Sequence, residues 1–552
     1  MNNFLKNQFN NQYINSINNN KNINQIYINN NNNNSINNSY NNYSLSNQDS
    51  IYNIKKGDAN YESSLSLAEK YKQEGNKYIS EQKYNLAIEK YTEAIDLLID
   101  TKNNAIYYSN RAKANIQIEN FGSAIADANH AIYIDSTYLK AYYRRGSANL
   151  LLSRYDEALR DFIYIYNKCP DDSLLYKILE CKKLKKNESV NHKKININKF
   201  NIYNNDILKY TYDNISIENN YKGLIYKSEK ITLDWVMELI NKMIDLNNVK
   251  TYKEKYIHNK YLVNMLLDVK KLYMSQIESL VEITIPKDSE ITIVGDLHGQ
   301  FYDLLNIFHI NGFPSEKNPY IFNGDYVDRG VFSLECVILL LAFKLLYKNS
   351  IFINRGNHES KKLNKIYGFE KEIKDKCGIK YDIYSCFCEF FNCLPLGHIL
   401  NKKVLIVHGG IFSKDGVKIS DLKKINRFKD IPESGPMCEI LWNDPCRERG
   451  KIPSKRGIGI CFGPDISKKF LEENSLDLLI RSHEVKMEGY EIEPEVNVIT
   501  IFSAPNYCDQ MGNKGAIIRM KGSDLKPNFI QFNAVEHPNI PITKYFNPWM
   551  FT

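Results

Sequence analysis

The sequence predicts a multidomain protein: an all-α superhelix of short repeats, then an α/β (α+β) domain whose sheets are flanked by helices. Three observations predict this. The chain has 552 residues, too many for one ordinary hydrophobic core, so two or more domains are expected. A helix-pair pattern recurs between about 65 and 168. From about 230 to 535, short β-rich runs alternate with helical segments, which argues for α/β or α+β layers.

Residues 1–62 form an asparagine-rich arm, with NNNNNNSINNSYNN at 29–42. Such text buries too little apolar surface to offset its ordering entropy, so disorder is expected. Residues 63–168 carry the repeats. Gly75, Ala112 and Gly146 each precede an alanine by twelve positions (Ala87, Ala124, Ala158), and an aromatic (Tyr84, Phe121, Tyr155) stands three before each alanine. The units are spaced by 37 and then 34 residues. Small residues at these points let paired helices approach closely, and the aromatic opens each second helix. The pattern resembles three tetratricopeptide repeats with three extra residues in the first inter-repeat loop. Residues 169–228 read as a helical extension to about 187 and then a flexible linker, where asparagine-rich text returns. The second domain spans 229–535. A tail, 536–552, carries Pro548, which argues against a continuous C-terminal helix.

The formal charge of +8 is spread along the chain. The densest basic run, KKLKK at 182–186, reads as a solvated helix end and not as a nucleic-acid patch. Eleven cysteines occur without a C-x-x-C pair, so free thiols in a reducing compartment are expected. Cys386, Cys388 and Cys393 sit in an apolar run and read as core. The first residues, MNNFLKNQFNNQ, show no basic start followed by an apolar run and no myristoylation signal, so a targeting segment is not expected. The longest apolar run, 336–347, is short and contains a lysine, so it suits a buried helix and not a membrane span. The expectation is a soluble monomer of the cytoplasm, with the nucleus as a second location.

The chemistry lies where the β-rich runs of the second domain stop. ITIVGDLHGQ ends in Asp296 and His298, and YIFNGDYVDRG in Asp325, Asp328 and Arg329. IFINRGNHES ends in Asn357, His358 and Glu359, KVLIVHGG in His408, and LLIRSHE in His483. Residues i and i+2 of a strand point to one side, so Asp296 and His298 can face one ion. Carboxylate, imidazole and amide oxygen together suit hard or borderline divalent metals, not a thiolate site. Singly, each has a structural explanation: a lone histidine is usually core, and Asp328 beside Arg329 suits an ion pair. Five strand-like runs ending this way in order do not.

GD-x-HG at 295–299, GD-x-VDRG at 324–330 and GNHE at 356–359 are all intact, followed by HGG, RSHE and SAPNYCD. Over roughly 300 residues the sequence resembles the serine/threonine protein phosphatases of the phosphoprotein phosphatase superfamily. With its N-terminal repeats, the whole resembles the branch that carries a tetratricopeptide domain. The implied fold is an all-α tetratricopeptide repeat superhelix followed by an α/β (α+β) metallophosphoesterase β-sandwich flanked by helices. The resemblance implies two divalent metal ions (Mn, Fe, Zn or Mg) bridged by Asp325. Asp296 and His298 would complete one site, and Asn357, His408 and His483 the other. It further implies that Arg329 and Arg456 clamp the phosphate, that Tyr507 lines the cleft, and that Asp328 orients His358 as the acid. Two metals about 3.5–4 Å apart can bridge a hydroxide that attacks phosphorus in line. Phosphoserine and phosphothreonine proteins would be the substrates.

For the repeats, the resemblance matches Lys72, Asn76, Asn110, Lys140 and Arg144 to a clamp for two carboxylates. That clamp grips the acidic C-terminus of the ninety-kilodalton heat-shock chaperone. Lys72 and Asn76 are four apart on one helical face, as are Lys140 and Arg144. Autoinhibition is also implied, with the repeats covering the cleft and Glu119 facing it. Departures from the family pattern are Cys446 where glutamine is expected, Ser360 after GNHE, the longer first repeat loop and Pro548. The sequence is also compatible with two other readings. One is another metallophosphoesterase, such as a nucleotidase or nuclease. The other is a co-chaperone adaptor with a weak or dead catalytic domain.

Overall fold

The computed structural model describes residues 59–81, 83–97, 102–197, 207–219, 221–228, 230–247 and 256–541. The asparagine-rich arm before 59, the middle of the first inter-repeat loop and the tail beyond 541 lie outside the described residues. The repeats form three antiparallel helix pairs: α1 Ala59–Ser80 with α2 Tyr84–Asp96, α3 Asn104–Gln117 with α4 Phe121–Ile134, and α5 Leu139–Leu151 with α6 Tyr155–Lys168. Each second helix begins at its expected aromatic. The small residues allow the close approach. A Cβ on Gly75 would lie 2.6 Å from the Tyr91 ring, and one on Gly146 2.9 Å from Phe162.

A further element repeats at the 34-residue pitch. Arg111 binds Asp127 through Nε and Nη2 at 3.0 and 2.8 Å, and Arg145 binds Asp161 in the same way at 2.9 and 2.7 Å. These paired bonds lock each first helix to its second with a planar fork. A seventh helix, α7 Asp172–Ile197, closes the superhelix. Its Leu174, Ile178 and Cys181 pack against Ala158, Phe162 and Ile165.

The second domain is built on two main sheets. One has the order β14-β13-β2-β3-β4 (Pro527–Phe532, Gly515–Lys521, Glu290–Val294, Tyr320–Phe322, Ile351–Ile353). The other has the order β1-β5-β6-β10-β12-β11 (Leu280–Ile283, Gly397–Leu400, Val404–Val407, Leu478–Arg481, Val498–Ile501, Tyr490–Ile492). Between the sheets pack Ile291, Ile293, Ile321, Val404, Ile406, Ile480, Ile499 and Ile518. The alternate residues face helices: Val294, Tyr320 and Phe322 on one outer side, Leu405, Val407 and Leu479 on the other. Both faces of these strands are buried, which is why they read as continuous apolar runs. A small third sheet, β7-β9-β8 (Asp444–Pro445, Ile460–Phe462, Lys451–Pro453), stands beside them.

Helix Ser333–Leu346, which contains most of the longest apolar run, is buried along nearly its whole length. No helix among the described residues is long and apolar enough to cross a membrane. Within the stretch read as extension and linker, residues 207–219 and 221–228 pack onto the second domain. Leu208, Ile215, Leu224 and Tyr226 are buried there, and the Leu208 amide donates to Glu389 at 3.0 Å. Asparagine-rich composition hides these four side chains, whose burial depends on a partner surface distant in sequence.

Candidate active site

Strands β2, β3 and β4 run parallel, as do β6, β10 and β12. The C-terminal ends of both sets open at one edge, where Asp296 bridges to Phe502 across the sheets. Ligand sites in α/β folds form at such strand ends. Gly295 permits the approach, since a Cβ there would lie 2.4 Å from the Ile501 carbonyl oxygen. The chain must turn sharply after each strand. His298, Asp325, Asp328, Arg329 and His483 all adopt left-handed backbone, with φ of 42°, 55°, 72°, 70° and 73°. Such strain costs of order 1–3 kcal/mol per residue and concentrates at functional sites.

The six expected metal ligands meet. Asp325 Oδ2 lies 3.5 Å from His298 Nε2 and 3.2 Å from His408 Nε2. Asp296 Oδ2 lies 3.7 Å from His298 Nε2. The His483 amide donates to Asp296 Oδ1 at 3.2 Å, and the His408 and His483 rings are 5.1 Å apart. Two overlapping groups of close donor atoms share Asp325: Asp296 with His408, and His298 with His358. Backbone carbonyls fix the imidazoles, with Nδ1 of His298 donating to Val327 at 3.1 Å and Nδ1 of His408 to Asn323 at 2.9 Å. That leaves Nε2 of each to face the carboxylates.

Asn357 is the test of whether cations fit. Its amide oxygen points at His408 Nε2, 2.9 Å away, a side that offers it only acceptors. Turned around, its nitrogen would donate to the Asp325 oxygens at 3.0 and 3.1 Å. An inward amide oxygen among carboxylates and imidazole nitrogens is a donor set for a hard or borderline cation. The electrostatics agree. Burial alone would depress His298, but the nearby carboxylates of Asp296 and Asp325 push it up to about 9. The carboxylates of Asp296 and Asp325 thus favour a cation beside His298, and the residues present fit divalent metal ions.

His358 Nδ1 lies 2.8 Å from Asp328 Oδ2. Burial works against both charges, pushing His358 well below its ordinary range and Asp328 well above. The charged pair and the neutral pair differ only in where one proton sits along this contact. Three donors converge on Asp328, since Asn364 Nδ2 and the Phe369 amide add bonds of 2.9 and 3.0 Å. That count favours an ionised carboxylate and a protonated imidazole, with Nε2 of His358 left for the cleft.

Two acidic residues that sequence reasoning did not place complete the site. Glu359 accepts from the amides of Asp325, Tyr326 and Gly356 at 2.8, 2.9 and 2.8 Å, which ties the second and third ligand loops together. Asp444 accepts from Arg456 Nε and Arg481 Nη2, each at 2.6 Å, and stands 3.2 Å from His483 Nδ1. Glu359 lies within GNHE and was visible as part of that motif. Asp444 has no such signal, because its three partners arrive from distant strands and loops.

The cleft, about 270 Å³, is lined by Asp296, His298, Asp325, Arg329, His358, Arg456, His483 and Tyr507; Asn357, His408 and Asp328 are fully buried. Arg329 lies over the Tyr367 ring at 4.1 Å. The Tyr507 ring centroid is 5.0 Å from that of His298. Tyr84, Asn85, Gln117 and Glu119 of the repeats line the same cleft. The Glu119 carboxylate, at the α3–α4 turn, pairs with Arg329 and lies 3.9 Å from Arg456. Gly122 packs on Gly457, the Ser123 amide donates to the Lys455 carbonyl at 3.2 Å, and Arg154 Nη2 donates to the Gly457 carbonyl at 2.9 Å.

The five expected clamp residues lie on α1, α3 and α5, the first helices of the repeats. Asn76 Oδ1 accepts from Asn110 Nδ2 at 3.2 Å and from the Tyr91 hydroxyl at 2.8 Å. Lys72 pairs with Glu69 at 2.6 Å. Lys140 and Arg144 stand one turn apart on α5. Lys113, three residues after Asn110, feels the charges of Arg144 and Lys140. Burial, with those charges, holds its ammonium below the ordinary range. Sequence reasoning missed it.

A calcineurin-like phosphoesterase family matches residues 289–487, and a family described as the PPP5 TPR repeat region matches 178–282. The chain is 44% identical over 495 residues to human serine/threonine-protein phosphatase 5, covering 88% of this chain and 94% of the human protein. It is 43% identical over 547 residues to serine/threonine-protein phosphatase 5 of Arabidopsis thaliana, covering 89% and 98%. It is 44% identical over 474 residues to serine/threonine-protein phosphatase T of Trypanosoma brucei brucei, covering 85% and 96%. A solved Saccharomyces cerevisiae serine/threonine phosphatase, described as similar to human phosphatase PP5, matches at 39% identity and TM-score 0.52, over 56% of this chain and 98% of that one.

Proposed function

This chain belongs to the serine/threonine-protein phosphatase 5 family and is a protein serine/threonine phosphatase, and on that premise we propose which residues carry the reaction and how the repeats control it. Divalent metal ions belong to this phosphoesterase fold. We assign two. Asp296, His298 and Asp325 would hold one, while Asp325, Asn357, His408 and His483 would hold the other, with manganese, iron, zinc or magnesium as candidates. When bound, such ions supply Lewis acidity at a phosphoryl oxygen and acidify water near neutral pH.

The chain's own groups do the rest. Arg329 and Arg456 bind the phosphate oxygens and spread the equatorial charge of the transition state through forked hydrogen bonds. Asp444 aims Arg456 by its 2.6 Å bond to Nε. Asp328 holds Nδ1 of His358, so that Nε2 can protonate the departing serine or threonine oxygen, worth typically ~10²–10⁴-fold. Tyr507 closes one wall of the cleft. The adaptor reading leaves these buried, mutually oriented groups without a use.

One observation carries the control: the Glu119 carboxylate occupies the two arginines that a phosphate needs. The repeats thus hold a substrate-mimicking anion in the cleft. Lys72, Asn76, Asn110, Lys140 and Arg144 would take the paired carboxylates of an acidic chaperone C-terminus, at ~1.5–3 kcal/mol per charged hydrogen bond, and binding there would lift Glu119 out. The test is hydrolysis by the full chain with Mn²⁺, using a phosphothreonine peptide and a nucleoside monophosphate, each with and without a peptide ending in adjacent acidic residues. Phosphothreonine turnover stimulated by the acidic peptide supports the reading. Preference for the nucleotide would return the protein to the other metallophosphoesterases.

A further inference from the structure

The wall that carries Tyr507 is strained. Asn506, Cys508 and Asp509 have φ of 42°, 56° and 58°, and none is glycine. Bonds within the loop hold its inner side: the Tyr507 amide donates to Asn513 Oδ1 at 2.9 Å, and the Gly512 amide to Asn506 Oδ1 at 3.0 Å. Its outer side is held by the segment after β14. His537 Nε2 meets Asp509 Oδ1 at 3.0 Å, and His537 Nδ1 meets the Pro538 carbonyl oxygen at 3.0 Å. Both contacts are acceptors. A neutral imidazole has one N–H and can satisfy only one of them, whereas the imidazolium satisfies both.

The other end of the loop is tied to the same segment. The Val535 amide donates to buried Asp303 at 3.0 Å. Gln300 Nε2 donates to Asp303 and to the Pro505 carbonyl, each at 2.8 Å. The segment from Val535 to Pro538 therefore grips the loop at Pro505, through Asp303 and Gln300, and at Asp509, through His537. The His537 ring packs edge-on against Phe332, with centroids 6.3 Å apart.

We propose that His537, as an imidazolium, is a positioning residue that holds the strained Tyr507 loop in its cleft-lining shape and loosens that hold on deprotonation, when only one of its two contacts can be kept. This rests on the placement of Tyr507 in the phosphate cleft. The charged and titratable groups around His537 are Asp509, Asp303, Arg329, Cys508 and the Tyr302 hydroxyl. The Asp509 hydrogen bond raises the imidazole to about 8, burial opposes this, and the Asp509 and Asp303 charges add to it. A histidine raised in the folded state is bound fully below its ordinary value near 6.5 and loosens its hold as pH rises through about 8. The grip is therefore complete in mildly acid solution and weakens across the neutral to alkaline range.

The experiment is hydrogen exchange of the peptide spanning 505–513 in the full chain, from pH 6 to pH 9, corrected for the intrinsic pH dependence of exchange. Wild type, His537→Gln, His537→Lys and Asp509→Asn are compared, with KM and kcat for p-nitrophenyl phosphate measured alongside. Wild-type protection should fall about tenfold across the range. The Gln and Asn variants should start low and stay flat. The Lys variant should keep its protection at pH 9, and the loss in the others should fall on KM more than on kcat. Identical protection curves for wild type and both His537→Gln and Asp509→Asn overturn the proposal, as does a Lys variant that follows wild type through pH 8. Asp509 is partly exposed, so its variant tests the contact if His537→Gln does not fold. Normal exchange curves in a protein without phosphatase activity would overturn the functional reading and leave the His537 grip standing.

Discussion

Replacing Glu119 with glutamine removes the charge that the repeats place on Arg329 and Arg456. The substitution keeps the side-chain length and does not add backbone strain, since Glu119 already has φ of 63°. The pair with Arg329 is nearly dry, with side chains 8% and 12% exposed. Breaking a buried ion pair in a fixed structure costs ~3–5 kcal/mol. Here both partners regain water when the repeats lift, so the ~1.5–3 kcal/mol of a hydrogen bond between charged groups is the better measure. That changes the ratio of closed to open molecules about 10- to 150-fold. Basal hydrolysis of p-nitrophenyl phosphate by the full chain should rise about tenfold or more. The ceiling is the rate of the open enzyme, so an acidic peptide should add little to the variant. An unchanged basal rate in Glu119→Gln, with strong peptide stimulation of the wild type under the same conditions, would refute the carboxylate plug.

Other consequences follow from the same geometry. His358→Gln should lower kcat by about 10²–10⁴-fold with bound metal unchanged by elemental analysis, and the loss should be larger for a phosphothreonine peptide than for the better leaving group of p-nitrophenyl phosphate. Asp325→Asn removes the shared ligand, so chelation should no longer shift Tm; in the wild type, metal at a hundred times its Kd stabilises by about 2.7 kcal/mol. Gly122→Val should prise the repeats from the cleft without touching a charge, because a Cβ there lies 2.8 Å from the Gly457 nitrogen. Its basal rate should rise while the helical circular dichroism signal stays as in wild type.

Much of the site was legible because each ligand sits at the end of an apolar run. Asp296, Asp325, Asn357, His408 and His483 could be found by asking where buried strands stop and charges begin. The repeat helices were legible for a similar reason: small residues and aromatics recur at a pitch set by helix pairing, and the structure starts α2, α4 and α6 at Tyr84, Phe121 and Tyr155. Ser360, a departure from the family pattern, caps helix Lys361–Tyr367 by accepting from the Leu363 amide, a local role compatible with its type. Asp444 and Lys113 were not legible. Neither lies in a periodic pattern, and each gains meaning only from charges brought to it by other elements. The buried side chains of 207–219 and 221–228 escaped for the same reason.

Local chemistry along the chain determined what this protein is made of: helix pairs with a basic first-helix face, strands buried on both sides, and metal-ligand residues where those strands end. These properties depend on spacings of a few residues, which a sequence displays directly. The family resemblance implied that Glu119 faces the cleft, but the tertiary structure decided which groups it and the other parts meet. It placed the α3–α4 turn in the cleft, so that Glu119 meets arginines 210 and 337 positions away, and it brought His537 onto the Tyr507 loop. Such contacts join surfaces whose complementarity exists only after each has folded, and no periodicity in the chain encodes them.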